Sequence, residues 1–219
     1  MATSIDNTSS TVTELLSLSP ELRQAVTYIC EVDPDFLQIE QEAGLLSVRR
    51  WDATFGSLVR VICGQQLSTK AAQAIFARLE QLIEVTPDRL LECDETALKQ
   101  VGLSRAKIAT CQQLAEFIAS GKLNLADFAT QSDAEITQTL TQIKGIGSWT
   151  AEIYLLFCLE RLDTFPAKDL AIQVGYQTLK KLDLCPTPKE LIMMCEPLAP
   201  WRGAAAHLLW HYYRFKNSK

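Results

Sequence analysis

Two features of this chain could do chemistry together. One is a turn with paired glycines, Ile143-Lys144-Gly145-Ile146-Gly147; the other is a carboxylate, Asp169, 22 residues beyond Gly147. Glycines can take positive φ and leave backbone N–H groups bare. An apolar helical pattern resumes at Trp149, so a helix opens at the turn with its free N–H groups and dipole pointing outward, an arrangement that suits a phosphate. A fixed carboxylate beneath an electron-deficient carbon stabilises positive charge and can orient or deprotonate a water. At ~4 Å and an effective dielectric of about 20 the Coulomb energy is about 4 kcal/mol, roughly a thousandfold in rate. By residue type alone, Asp169 reads first as a helix cap after Pro166.

The elements that must position these groups are helical. Ser19-Pro20, Thr86-Pro87 and Thr187-Pro188 each set a capping hydroxyl before a proline at the first helical position. Ser132 with Glu135, and Thr187 with Glu190, have capping-box spacing. Apolar stripes follow with the helical period: Phe55, Leu58, Val59, Ile62; Ala71, Ala72, Ile75, Leu79, Leu82; Ile108, Cys111, Leu114, Ala115, Ile118; Trp149, Ile153, Leu156, Phe157. Roughly ten helices of ordinary length account for the chain. Leu45-Leu46-Ser47-Val48 is too short to build a sheet on, so the expected class is all-α. A faint repeat relates Leu98–Ser104 to Leu140–Gly147, each followed by an apolar helix. It reads either as a degenerate second hairpin or as the common look of short helix–turn–helix links.

Composition narrows the function classes. The chain has 219 residues, 47% of them hydrophobic, and a net charge of −5. Its seven cysteines stand singly, with no CxxC, as reduced thiols of an intracellular protein would. The longest apolar run, Ile153 to Leu159, is too short to cross a bilayer, so no membrane partner is expected. The N-terminus lacks the basic and apolar segments of a signal peptide; residues 1–14 read as a flexible lead-in. The net charge argues against nucleic acid, but a hairpin that grips phosphates with backbone amides needs few side-chain cations. Positive charge gathers at Lys99, Arg105, Lys107 and Lys122, and again at Arg214, Lys216 and Lys219, as local DNA contacts or as solvated helix surface. His207 and His211 have metal-ligand spacing, but no nearby Cys or carboxylate completes a set, and they read as packing.

The eleven residues Thr141–Ala151, with Pro166-Ala167-Lys168-Asp169 downstream, resemble the helix-hairpin-helix DNA glycosylases. So do Cys63-Gly64-Gln65-Gln66-Leu67-Ser68-Thr69-Lys70-Ala71-Ala72 and Pro200-Trp201-Arg202-Gly203 with His207–Trp210. The segments are most similar to the compact 3-methyladenine DNA glycosylase II group, and the likeness runs from about Pro20 to Arg214. Relatives often carry serine where Gly203 stands.

The resemblance implies an enzyme that flips an alkylated purine out of duplex DNA and hydrolyses its N-glycosidic bond, starting base excision repair. The lesions would be of the 3-methyladenine and 7-methylguanine class. Asp169 would be the catalytic carboxylate. Bifunctional members carry a lysine where Trp149 stands; tryptophan cannot form a Schiff base, so an intact abasic site is expected. A cationic base stacks on electron-rich rings, which makes Trp149, Tyr154, Phe165 and Trp201 the expected pocket. DNA would be met by Gln66 at the plugging position, by Ser68 (or Ser68 is simply a helix cap), and by the hairpin residues Lys144, Gly145, Ile146, Gly147 and Ser148. Gln65 is expected to face inward. The hairpin of such proteins holds a monovalent cation on backbone carbonyls, here those of Thr141, Ile143 and Ile146, so Na+ or K+ could sit there. No cofactor is otherwise expected; Cys185 and Cys195 lack the partners an iron–sulfur cluster needs.

The expected layout is two helical subdomains around a DNA cleft: residues 53–165, with the hairpin at about 137–160, and residues 15–52 together with 166–219. The protein is expected to act as a monomer on duplex DNA, in the cytoplasm or nucleoid of a bacterium or the nucleus of a eukaryote. The main rival is a non-catalytic helix-hairpin-helix DNA-binding protein. A helical protein-interaction module and a lyase-active glycosylase are further alternatives.

Overall fold

Ser19 accepts a hydrogen bond from the Leu22 N–H at 3.1 Å and opens the first helix, α1 (Pro20–Val32), as its sequence anticipates. The computed structural model describes residues 18–217, so the N-terminal lead-in lies outside the described residues. After α1 come α2 (Leu37–Ala43), α3 (Phe55–Gly64), α4 (Thr69–Leu82), α5 (Pro87–Glu92) and α6 (Glu95–Gln100). Then follow α7 (Arg105–Ala119), α8 (Asp133–Leu140), α9 (Ser148–Cys158), α10 (Leu170–Lys180), α11 (Pro188–Met194) and α12 (Arg202–Lys216). Three short 3₁₀ turns complete the list, and no strand occurs among the described residues. The class is all-α. Both anticipated capping boxes form, Ser132 with Glu135 at α8 and Thr187 with Glu190 at α11.

The buried side chains fall into two clusters. One draws on α3 through α9, with Leu58, Ile62, Leu114, Ile143 and Tyr154 fully or almost fully buried. The other joins α1 and α2 to α10, α11 and α12, around Ile29, Ile39, Ile172 and Leu209. Helix α9 serves both: Leu155 belongs to the first cluster, Leu156 to the second, and Phe157 packs against each.

Two glycines set how closely the second group of helices packs. A Cβ at Gly175 would stand 2.7 Å from the Leu209 carbonyl oxygen, so α10 and α12 touch backbone to side-chain-free backbone. That approach brings Trp210 over the start of α10. At Gly203 a Cβ would meet the carbonyl oxygens of Leu162 and Thr164, both at 2.8 Å. The glycine N–H instead donates to Leu162 O at 2.7 Å. Beside it Arg202 grips Asp163 with two donors, Nε to Oδ1 at 2.9 Å and Nη2 to Oδ2 at 2.6 Å. The Pro-Trp-Arg-Gly segment thus locks the chain after α9 onto α12. Among the described residues no helix is long and apolar enough to cross a membrane.

Candidate functional site

Asp169 is the N-cap of α10: its Oδ1 accepts from the N–H groups of Ala171 at 2.9 Å and Ile172 at 3.3 Å. The carboxylate does more than cap. Trp210 donates its indole N–H to the same Oδ1 at 3.0 Å, and Trp149 donates to Oδ2 at 2.9 Å. Three donors therefore occupy Oδ1 and one occupies Oδ2. The carboxylate is oriented from three helices, and Oδ2 keeps acceptor capacity for a group in the cleft.

The cleft wall continues as aromatic rings. Trp210 lies 5.2 Å from Phe157, and Phe157 stacks on Trp51 at 5.0 Å between centroids. The Arg60 guanidinium then sits over Trp51 at 5.6 Å and over Phe76 at 4.2 Å, with Glu80 3.5 Å away. Burial lowers the Arg60 pKa from its ordinary value. Trp51, Arg60, Trp149, Phe157, Asp169 and Trp210 all line the same cleft. His207 lies behind this wall, edge-on to Phe157 at 5.1 Å. It is buried, and burial with the nearby Arg214 charge pushes its pKa down to about 3, so it is neutral. His211 points its Nε2 at the carbonyls of Ala43 and Gly44, each at 3.2 Å. Both histidines are packing residues, as their neighbours suggested.

The turn between α8 and α9 is held from below. Gly145 has φ +96°, and a Cβ there would collide with the Thr110 hydroxyl. That hydroxyl lies 2.9 Å from Ala106 O and 3.0 Å from Lys144 O and shares its one proton between them, while the Lys144 N–H donates to Gln113 Oε1 at 2.9 Å. Gln65 faces inward, as expected, and donates to Gly145 O and Thr150 Oγ1, both at 2.9 Å. Gly147 differs from the expectation of positive φ. Its φ is −100°, its Cβ position meets nothing within 4 Å, and as N-cap it offers α9 no side chain. The N–H groups of the first turn of α9 are left for an outside acceptor.

Of the expected DNA-facing hairpin residues, Gly145 borders the cleft, Gly147 stands open beside it, and Ser148 accepts from Lys168 Nζ at 3.0 Å. Lys144 can offer only its exposed side chain, because both its backbone groups are bound internally. Ile146 is core: it is 4% exposed and its N–H closes onto Ile143 O at 3.0 Å. Gln66 is exposed in the left-handed region (φ 57°), and Ser68 caps α4 through the Ala71 N–H at 3.3 Å. Both line the cleft.

The expected pocket is the part the structure redistributes. Trp149 lines the cleft; Tyr154, Phe165 and Trp201 do not. Tyr154 is fully buried, edge-on to Phe128 at 6.1 Å, because α9 is apolar on nearly every face and turns this residue into the first core. Phe165 and Trp201 pack against the second core. The rings that replace them are Trp51, Phe157 and Trp210. Trp210 had a sequence signal, an aromatic three residues after His207 on one helix; Trp51 had none.

The first basic cluster is divided: Lys99 pairs with Glu95 at 2.7 Å and Lys122 lies over Phe117 at 5.5 Å, whereas Arg105 is exposed and Lys107 borders the cleft while donating to Cys63 O. At the other end Lys216 pairs with Glu42 at 2.6 Å, while Arg214 borders the cleft. Among the described residues no group of three or more His, Cys, Asp or Glu is placed to hold a metal ion. The turn's own oxygens are backbone carbonyls, hard donors of the kind a monovalent cation takes; that of Ile143 already accepts the Ile146 N–H and has a second lone pair.

Comparison with known proteins bears on this arrangement. Residues 59–200 match the family described as HhH-GPD superfamily base excision DNA repair protein. The chain is 38% identical over 161 residues to DNA-3-methyladenine glycosylase 1 of Schizosaccharomyces pombe, covering 71% of each chain. It is similar to the solved structure of a 3-methyladenine DNA glycosylase of that yeast in complex with abasic DNA. That match has a TM-score of 0.81 at 33% identity over 85% of this chain and 95% of the other. It is also similar to the crystal structure of DNA-3-methyladenine glycosidase from Bacillus halodurans, TM-score 0.70 at 34% identity over 88% of each chain.

Proposed function

This chain belongs to the HhH-GPD superfamily of base excision DNA repair proteins, and from the site that membership frames we propose that it is a monofunctional DNA glycosylase for alkylated purines. The observation that carries the reading is the Asp169 carboxylate, oriented by two indole N–H donors at the end of an aromatic wall. The uncapped start of α9 and the open Gly147 suit a DNA phosphate. Gln66, on a loop bordering the same cleft, would fill the gap left by the extruded base.

The reaction follows from these parts. A purine alkylated at N3 or N7 is cationic, stacks on Trp149, Phe157 and Trp210, and leaves as a neutral base. The C1′–N bond breaks with its electron pair going to the base, and the sugar gains oxocarbenium character. Asp169 Oδ2 lies beneath that charge and stabilises it. Water adds to C1′, and its proton passes to the carboxylate and on to solvent. No step needs a general acid. Carbonyls of Thr141, Ile143 and Ile146 would hold Na+ or K+ beneath the phosphate contact, neutralising charge there. The division into residues 53–165 and residues 15–52 with 166–219 around a cleft follows the two hydrophobic clusters except at its seam, where Trp51 packs on the first and Leu156, Leu162 and Phe165 on the second. The partner is duplex DNA bearing alkylated bases, met by a monomer wherever the cell keeps its DNA.

The test is release of free bases from methylated duplex DNA, with Asp169→Asn in parallel. Wild type should release 3-methyladenine or 7-methylguanine, and the variant should bind DNA but turn over about a thousandfold more slowly. Salt-sensitive DNA binding without release by either protein would favour a non-catalytic binding protein. A second reading rests on Lys168, which precedes Asp169 in the chain, lines the same cleft and donates from its Nζ to Ser148 Oγ at 3.0 Å. Strands cut without base or heat, and spared by Lys168→Gln, would make the protein a lyase.

A further inference from the structure

Lys107 looks from sequence like a surface cation; it is half-buried and lines the cleft, yet its ammonium is held by main-chain carbonyls. Its Nζ donates to Cys63 O and to Gln65 O, both at 2.9 Å. These are carbonyls at the C-terminal end of α3, where the chain leaves the helix and Gln66 takes its left-handed conformation. Lys107, Thr110 and Gln113 stand at three-residue intervals on α7, one helical stripe. Lys107 holds the loop after α3, whereas Thr110 and Gln113 hold the turn before α9. Gln65 closes the set by joining the first loop to the second through Gly145 O and Thr150 Oγ1.

We propose that Lys107 is a positioning residue that fixes the Gln66 loop against the α8–α9 turn, so that α7 sets the distance between the groove-filling side chain and the phosphate contact. This rests on the glycosylase reading above. A lysine suits the task because one ammonium carries three donors on a flexible stem and can serve two carbonyls at once. Held in this way, the loop needs no ordering when DNA arrives, and the extruded nucleotide is replaced by Gln66 at a preset height above Asp169.

Lys107→Met keeps the stem and removes the donors; Lys107→Arg keeps a cation. In free Lys107→Met, amide hydrogen exchange should rise about tenfold at residues 65–68 while α10 and α12 stay protected. Single-turnover excision from duplex DNA should fall about a hundredfold, with binding to undamaged duplex unchanged. Lys107→Arg should recover part of both losses. Unchanged exchange at 65–68 would overturn the proposal. So would a general rise in exchange with excision per folded molecule intact, or weaker binding to all duplexes with a salt slope smaller by about one, the mark of a phosphate contact. If wild type releases no base, the glycosylase reading falls, and the exchange measurement still decides whether Lys107 holds the loop.

Discussion

Gly145 and Gly147 stand two residues apart in one turn, and only Gly145 is required by the protein itself. Gly145 has φ +96° and no room for a Cβ against Thr110, whereas Gly147 has φ −100° and open space where a Cβ would go. Gly145→Ala should therefore cost about 1–2 kcal/mol or more in stability. Gly147→Ala should change thermal stability by less than about 1 kcal/mol, because the restriction of the unfolded chain by alanine is offset by its poorer fit at the N-cap of α9. It should nevertheless weaken binding to an abasic-site duplex about tenfold, or 1.4 kcal/mol, by crowding the phosphate. Thermal melts and titrations of the two variants separate these effects, and wild-type affinity in Gly147→Ala would remove the turn from the DNA interface.

Trp210→Phe should leave the aromatic wall in place while Asp169 Oδ1 loses one of its three donors. The expected outcome is a kcat lower by about 10- to 100-fold with KM little changed. A raised KM with normal kcat would mean that Trp210 serves binding alone.

His207 makes stability depend on pH. Its folded pKa, pushed down to about 3, lies below the unfolded value near 6.5, so the unfolded chain binds the proton first. The stability it contributes is full above pH ~6.5 and is lost as pH falls toward 3, by at most about 1.4 kcal/mol per pH unit. Denaturant melts between pH 6.5 and 4.5 should show this slope, and His207→Leu should flatten it. An equal slope in the variant would assign the effect to other groups.

Gly203→Ser should destabilise the fold by about 1–3 kcal/mol, since the new side chain meets two backbone carbonyls that cannot move aside. A variant melting with wild type would show that the chain after α9 yields more readily than its Arg202–Asp163 clamp suggests.

The helices and their caps were legible because they are written locally: Ser19, Thr86, Ser132 and Thr187 each bond an N–H three residues on. Asp169 could be read as a cap or as a site carboxylate, and the structure shows why both fit, since Oδ1 caps α10 while Oδ2 meets Trp149. Which faces of α9 are buried was not legible. The helix is apolar almost all round, so periodicity cannot say that Tyr154 enters a core while Phe157 reaches the cleft. Lys107 was hidden for another reason: its partners lie 42 and 44 residues away, and a lysine on a charged helix looks solvated.

Helix α9 commits adjacent residues, Leu155 and Leu156, to different cores. A jaw-like closing of the cleft would have to pull one of them out of its packing. On the glycosylase reading a cleft held open in this way would leave the bending to the duplex, and excision is expected to be fastest where the base steps beside a lesion kink easily, next to flexible pyrimidine–purine steps. On that reading the protein would select its sites by the mechanics of DNA as well as by the chemistry of the damaged base.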